Sequence, residues 1–259
     1  MVDNIEINAL PISTESGDAL IKPVAKSIGN AANDILEGAF HLVLDPVRRF
    51  NARRTQDLET FKQELSLSVK DISKDNIDES KSGLVLKAIE DSRYQLNEKV
   101  IRDLFTKLIT STLDITKNTN ITPVFSTIIA NMSPKEAILL ERIHNNTGHV
   151  VPFSNVMIVY KDVKGSSSIG KGYLLFENDF TNEFSLELSL LEASNLIKFN
   201  ADVFLTHTSF EDLYNLFDEN YIVDLNINSD SNIQYEQHKH YYSLTELGKS
   251  FCQIIFDES

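Results

Sequence analysis

The sequence predicts a mainly α chain, with a helical N-terminal half followed by an α+β C-terminal half. Three observations predict it. Apolar residues recur every three or four positions across Leu20–Val47, Leu58–Val69 and Val100–Leu113, the spacing of one helix face. A capping box with proline at its first helical position stands at Ser133-Pro-Lys-Glu136. Beyond His144 the apolar pattern changes to period two and to short runs bounded by Gly and Ser, as strands and turns require. Residues 1–14 read as a flexible N-terminus, 15–132 as a helical domain, and 133–259 as an α+β domain with a long acidic insert.

The first helical stretch runs from Asp18 and carries Leu20, Ile21, Val24, Ile28, Ala32, Ile35, Leu36, Ala39, Phe40, Val43 and Val47 on one stripe. It is one long helix or two in series. Pro23 sits where it can open a helix, and Asp45-Pro46 marks an end or kink, because the residue before proline is pushed out of the α region. Helical spacing resumes across Thr60–Lys70 with Leu58, Phe61, Leu65 and Val69 as its apolar members. Asp71–Ser82 is polar without an apolar period and reads as a linker or exposed loop. A second block follows, with Leu84, Leu86, Ala88 and Ile89 on one side and a strong stripe from Val100 to Leu113. Asn118–Thr122 breaks it, and Pro123 opens a helix to Ala130.

The Ser133 box opens a helix to about His144. Val150–Tyr160, a Gly/Ser turn across Gly165–Gly172, and Tyr173–Phe176 read as a hairpin. A helix at Glu183–Ser194 ends at Asn195-Leu-Ile197, where asparagine suits a left-handed cap. Val203–Leu205 and Tyr221–Leu225 read as strands, with a short helix from Thr208 to Phe217 between them. Asn226–Gln237 reads as a polar loop, His240–Ser243 as a strand, and Ser243-Leu-Thr-Glu246 as the capped start of a last helix to Phe256.

At 259 residues, 42% of them hydrophobic, the chain buries a core without staples, and its single cysteine, Cys252, excludes an internal disulfide framework. The acidic start lacks a basic and an apolar signal region, and no apolar run approaches the roughly 20 residues that span a bilayer. A cytoplasmic protein is expected, or one peripheral on the inner membrane. Net charge is −14, and residues 133–259 hold 8 Lys+Arg against 19 Asp+Glu. A field of that sign opposes nucleic-acid binding, which draws most of its affinity from cations on phosphates.

Chemistry is sparse. His238-Lys-His240 is the only close histidine pair, and two imidazoles without a carboxylate or thiolate make a poor metal site. Cys252 lies on the apolar side of the last helix and reads as a core thiol. Gly165-Ser-Ser-Ser-Ile-Gly170 lacks the Lys-Ser/Thr of a phosphate loop and reads as a turn. No two carboxylates at fixed spacing bracket a reacting atom. No catalytic residue, metal or cofactor is expected.

The Asn195-Leu-Ile tail and Tyr242-Ser-Leu-Thr-Glu-Leu-Gly248 resemble the helix cap and the return from the wing of a winged-helix core. The chain departs from that pattern in carrying Asn195 in place of glycine and an acidic insert at about Phe210–Glu236. The ordered series Pro23-Val-Ala-Lys-Ser-Ile-Gly29, Asp45-Pro-Val-Arg48, Leu104-Phe-Thr-Lys-Leu-Ile109, Pro123-Val-Phe-Ser-Thr-Ile-Ile129 and Met132-Ser-Pro-Lys-Glu-Ala137 is similar to the abortive infection alpha family, over about residues 15–256. That resemblance implies a bacterial host and a role in defence against bacteriophage, and it assigns no catalytic residue.

One segment has a physical case for action. The stripe through Ile28, Ile35, Phe40 and Val43 ends in Arg48, Arg49, Arg53 and Arg54. Such a helix docks on its own domain, on a phage or host protein partner, or in an anionic membrane surface. The expected function is a non-enzymatic anti-phage protein acting by protein and membrane-surface binding. A winged-helix transcriptional regulator and a structural adaptor are the alternatives, and a homo-oligomer is compatible with the sequence.

Overall fold

The computed structural model describes residues 31–43, 52–162, 165–177, 179–201 and 203–257. The N-terminal stretch 1–14, the helix start at Pro23, Ile28 and the Asp45-Pro46 end lie outside the described residues. The chain is mixed α/β, with a helical N-terminal half and a C-terminal antiparallel sheet.

The helical half contains α1 (Ala31–Val43), α2 (Ala52–Val69), α3 (Ser82–Ser92), α4 (Lys99–Leu113) and α5 (Pro123–Asn131). Helix α4 is its hub: Ile101, Leu104, Phe105, Leu108, Ile109 and Leu113 are all buried, and α2, α3 and α5 pack around it. Helix α2 buries Leu58, Phe61, Leu65 and Val69 at the expected spacing, but it already runs from Ala52. On α3 the deepest residues are Val85, Ala88 and Ile89. Leu84 and Leu86 only flank that core, because the true stripe is offset from them by one residue.

The polar stretch 71–82 is tied down by the end of α4. Ile72 is buried, the Asp78 amide donates to the Leu113 carbonyl at 2.9 Å, and the Ile115 amide donates to the Asn76 carbonyl at 2.9 Å. Asn118 closes the corner, its Nδ2 donating to Asp78 Oδ2 (2.8 Å) and to the Thr112 carbonyl (3.1 Å). The last carbonyls of a helix lack internal donors, and the Asp78 amide and the Asn118 side chain supply two of them.

The back half opens with α6 (Pro134–Asn145), whose box is complete: the Glu136 amide donates to Ser133 Oγ and the Ser133 amide to Glu136 Oε2. Then come β1 (Val150–Tyr160), β2 (Ser166–Phe176), β3 (Asp179–Thr181), α7 (Ser185–Ala193), β4 (Ile197–Asn200), α8 (Thr208–Phe217), α9 (Val223–Ile227), β5 (Ile233–Leu244) and α10 (Glu246–Ile255). The five strands pair antiparallel in the order β3-β2-β1-β5-β4.

Several expectations are corrected here. The Gly/Ser stretch from Ser166 is strand, because β1 supplies ladder partners as far as Val159, opposite Ser166. Val203–Leu205 is not a strand; Ile197–Asn200 takes that place against Tyr241–Leu244. Tyr221–Leu225 is helical, since a π turn (Asp218–Ile222) carries α8 into α9. Phe210, Tyr214, Phe217 and Ile222 are buried along one side of that run, and helical phase outweighs the β-branched composition of Tyr221–Leu225. The last strand begins at Ile233, and Thr245 rather than Ser243 caps α10, accepting from the Gly248 amide at 2.9 Å.

The main core is continuous from Ala32 to Ile255 and includes both halves. On β2 the alternation is clean: Leu174 and Phe176 join this core, while Tyr173 and Leu175 join a second, smaller one with Val156, Tyr214, Phe217 and Ile222. The insert expected to be a polar loop therefore has a core of its own, built on the far face of the sheet.

Candidate functional site

Helix α1 carries three of the residues singled out from sequence, and it is docked. Ala32, Leu36, Ala39 and Phe40 are buried, while Ile35 and Val43 pack partly against the core. The seat lies mainly on α3 with a smaller share on α2. Phe40 meets Phe61 edge to face at 6.2 Å, and Lys62 Nζ stands 5.1 Å over the Phe40 ring. The opposite face is open, with Leu42 60% exposed. Arg48 and Arg49 lie outside the described residues, and Arg53 and Arg54 are described only as backbone in the first turn of α2.

Only two of the four buried side chains on α1 are large. Withdrawing Leu36 and Phe40 costs about 1.5–3 kcal/mol each, so about 3–6 kcal/mol for the two, to which the partly buried Ile35 and Val43 add. The share of those two side chains is comparable to the roughly 5.5 kcal/mol of differential affinity that turns a two-state equilibrium over. Among the described residues no helix is long and apolar enough to cross a membrane.

Helix α7 presents Leu186 and Leu190 to solvent and contains no Lys or Arg. Its Glu187 is buried beside Lys135, at 3.5 Å. Between Lys198 and Lys239 the chain holds eight Asp and Glu and no Lys or Arg. Phosphate contacts need cations, and neither element offers one.

Sequence reasoning missed a cleft of about 800 Å³, with mixed polar and apolar walls, where three helices end. Ser68, Asp71 and Ile72 line it from the end of α2; Thr110, Ser111 and Asp114 from the end of α4; Gln253, Ile254 and Asp257 from the end of α10. No short motif marks such a place, since its walls are about 40 and 140 residues apart in the chain. Asp114 Oδ1 accepts from the Thr116 amide (2.9 Å) and hydroxyl (2.6 Å). His144 Nε2 and Asp257 Oδ1 are hydrogen-bonded at 2.8 Å, and the His144 ring stacks on His149 at 5.0 Å. Thr106 and Thr112 on α4 donate their hydroxyls to carbonyls four residues back. The buried Thr110 Oγ1, by contrast, has no hydrogen-bond partner.

The groups weighed for chemistry lie apart. His240 is buried with Phe153 and Phe199 nearby, and its ring centre is 6.5 Å from that of His238. Among the described residues no three His, Cys, Asp or Glu are grouped to hold a metal ion. Cys252 is fully buried in α10, and burial pushes its thiol well above the usual range, with Asp257 adding to the effect. A thiol held protonated is a poor nucleophile. Burial likewise raises Tyr214, on α8, and Tyr242, on β5, to about 12.

Comparison with known proteins gives one match. The family model described as abortive infection alpha matches residues 53–255. Its span begins at the first turn of α2, so α1, Arg48 and Arg49 precede it. No curated protein and no solved structure matches the chain.

Proposed function

The chain belongs to the abortive infection alpha family, and on that premise we propose that it serves bacterial anti-phage defence by binding rather than by catalysis. In this reading the span shared with the family is a scaffold. The helix α1 that precedes it is the effector, leaving its seat to bury the same side chains against a phage or host protein or an anionic membrane surface.

The observation that carries the proposal is the small seat of α1, in which Leu36 and Phe40 are the only large side chains fully buried, beside two alanines. A new apolar environment for those two side chains returns what withdrawal costs. The balance then rests on the arginines that follow, each worth about 1 kcal/mol near an anionic surface. The purified chain is expected to co-sediment with anionic liposomes and release an entrapped dye. Replacing Arg48, Arg49, Arg53 and Arg54 with glutamine should return both readouts to the level of neutral liposomes. Wild-type protein that stays in the supernatant over intact anionic vesicles would remove the membrane surface from the proposal.

For the back half we keep the winged-helix-like reading. Three features support it: Asn195 with φ of 56°, Thr245 at the start of α10, and the close approach of Gly248 to Leu196. The helix in the reading position, α7, is acidic with exposed leucines. That chemistry suits a protein partner and disfavours the transcriptional-regulator alternative.

A further inference from the structure

We propose that the outer side of the insert, along α8 and α9, docks residues 43–54 of a second copy of this chain. The insert turns Tyr214, Phe217 and Ile222 into its own small core and leaves Leu216, Val223 and Ile227 exposed. At 73%, Ile227 is the most exposed large apolar side chain among the described residues, and Val223 stands one helical turn before it. Val203 and Phe204, just ahead of the insert, are exposed as well. Single exposed apolar side chains are ordinary, whereas a group of them within charged surroundings marks an interaction surface.

Charge selects the partner. Glu211, Asp212, Glu219 and Asp224 are exposed along the same run, and no Lys or Arg occurs between Lys198 and Lys239. Arg48, Arg49, Arg53 and Arg54 are the densest group of cations in the sequence, and Val43, Leu44, Val47 and Phe50 lie before and among them. That segment supplies both things the insert surface calls for, cations and apolar side chains, and complementary charge fixes which surfaces pair. The ends of the segment belong to the helical half: Val43 closes α1, which packs on α3 and α2, and Ala52 opens α2, which packs on α4. The core of the insert stands on the opposite face of the sheet from the core of that half. Held at both ends on one side of the sheet, the segment meets the insert of a neighbouring copy. A two-fold pair of copies makes the contact twice, and it needs neither a membrane nor the displacement of α1.

The test is sedimentation equilibrium of the full chain over a concentration series, in the absence of lipid. The wild type is expected to self-associate, and more weakly as salt is raised. Val223→Ser with Ile227→Ser in one variant, and Arg48, Arg49, Arg53 and Arg54 each replaced with Gln in another, should each weaken association at least about tenfold. An equal mixture of the two variants keeps one intact contact, between the insert of the glutamine variant and the arginines of the serine variant. It should therefore form a mixed pair although neither variant pairs alone, which also shows that both are folded. A wild type that stays monomeric throughout, association indifferent to either variant, or a mixture no more associated than its components would each overturn the proposal.

Discussion

Replacing Gly248 with alanine is expected to lower the unfolding free energy by about 3 kcal/mol, the upper end for overpacking because backbone is what must move, and the melting temperature by about 6–12 °C. A Cβ at this position would stand 2.0 Å from the Leu196 carbonyl oxygen and 2.9 Å from its carbon, so backbone must move. Neither side can yield cheaply. The Leu196 carbonyl already accepts from the Thr245 amide at 3.0 Å, and Thr245 Oγ1 donates to the Asn195 carbonyl at 2.6 Å. Asn195 holds the left-handed turn that brings this carbonyl to α10. The internal control is Gly38, which lies within α1 with open space where a Cβ would stand. Alanine there should stabilise by about 0.5–1 kcal/mol, the helical preference of alanine over glycine. Thermal melts of the two variants beside the wild type decide it, and a Gly248→Ala protein that melts with the wild type would contradict the packing described.

The second large effect belongs to Glu64. Its carboxylate accepts from Arg102 Nε at 2.7 Å and from Nη2 at 3.1 Å, a two-point grip, while Arg102 Nη1 donates to the Leu96 carbonyl at 2.8 Å. The Arg102 side chain is 10% exposed. The Glu64 hydrogen bond, the largest cause, holds its guanidinium above the usual range. Glu64→Ala therefore leaves a buried cation with one carbonyl for company, and should cost about 3 kcal/mol. Replacing both partners, Glu64→Ala with Arg102→Met, should recover much of that loss, because the methionine needs no counterion. Denaturant unfolding of the three variants gives the cycle. A double variant as unstable as the sum of the singles would show that the pair matters for its packing alone.

Much of the helical half was legible because one face of each helix is buried and the period survives in the sequence. Phe61, Leu65 and Val69 on α2, and the stripe from Ile101 to Leu113 on α4, are of this kind. Ser133 and Asn195 were legible for a local reason, since a capping box and a left-handed cap need particular side chains. The insert misled because Tyr221–Leu225 is rich in strand-forming residues, while its conformation is set by Phe217 and Ile222 packing on the far side of the sheet. Ser166–Gly172 misled in the opposite sense: its small polar residues suit a turn, yet β1 offers a ladder. The stripe of α1 marks a surface to be covered, by its own domain, a partner or a membrane. What covers it, α3 and the Phe61 face of α2, depends on contacts that no local pattern encodes. The cleft was invisible for the same reason.

The central claim is that α1 is separately displaceable from the domain it rests on, and native-state hydrogen exchange tests it most directly. The account predicts that amides of Ala31–Val43 exchange through a local opening that costs less than global unfolding and has a smaller denaturant dependence, in proportion to the smaller surface exposed, while amides of α4 exchange only with global unfolding. Exchange of α1 and α4 at one common free energy, with the same denaturant dependence, would show a helix sealed into a single cooperative unit and would contradict the account.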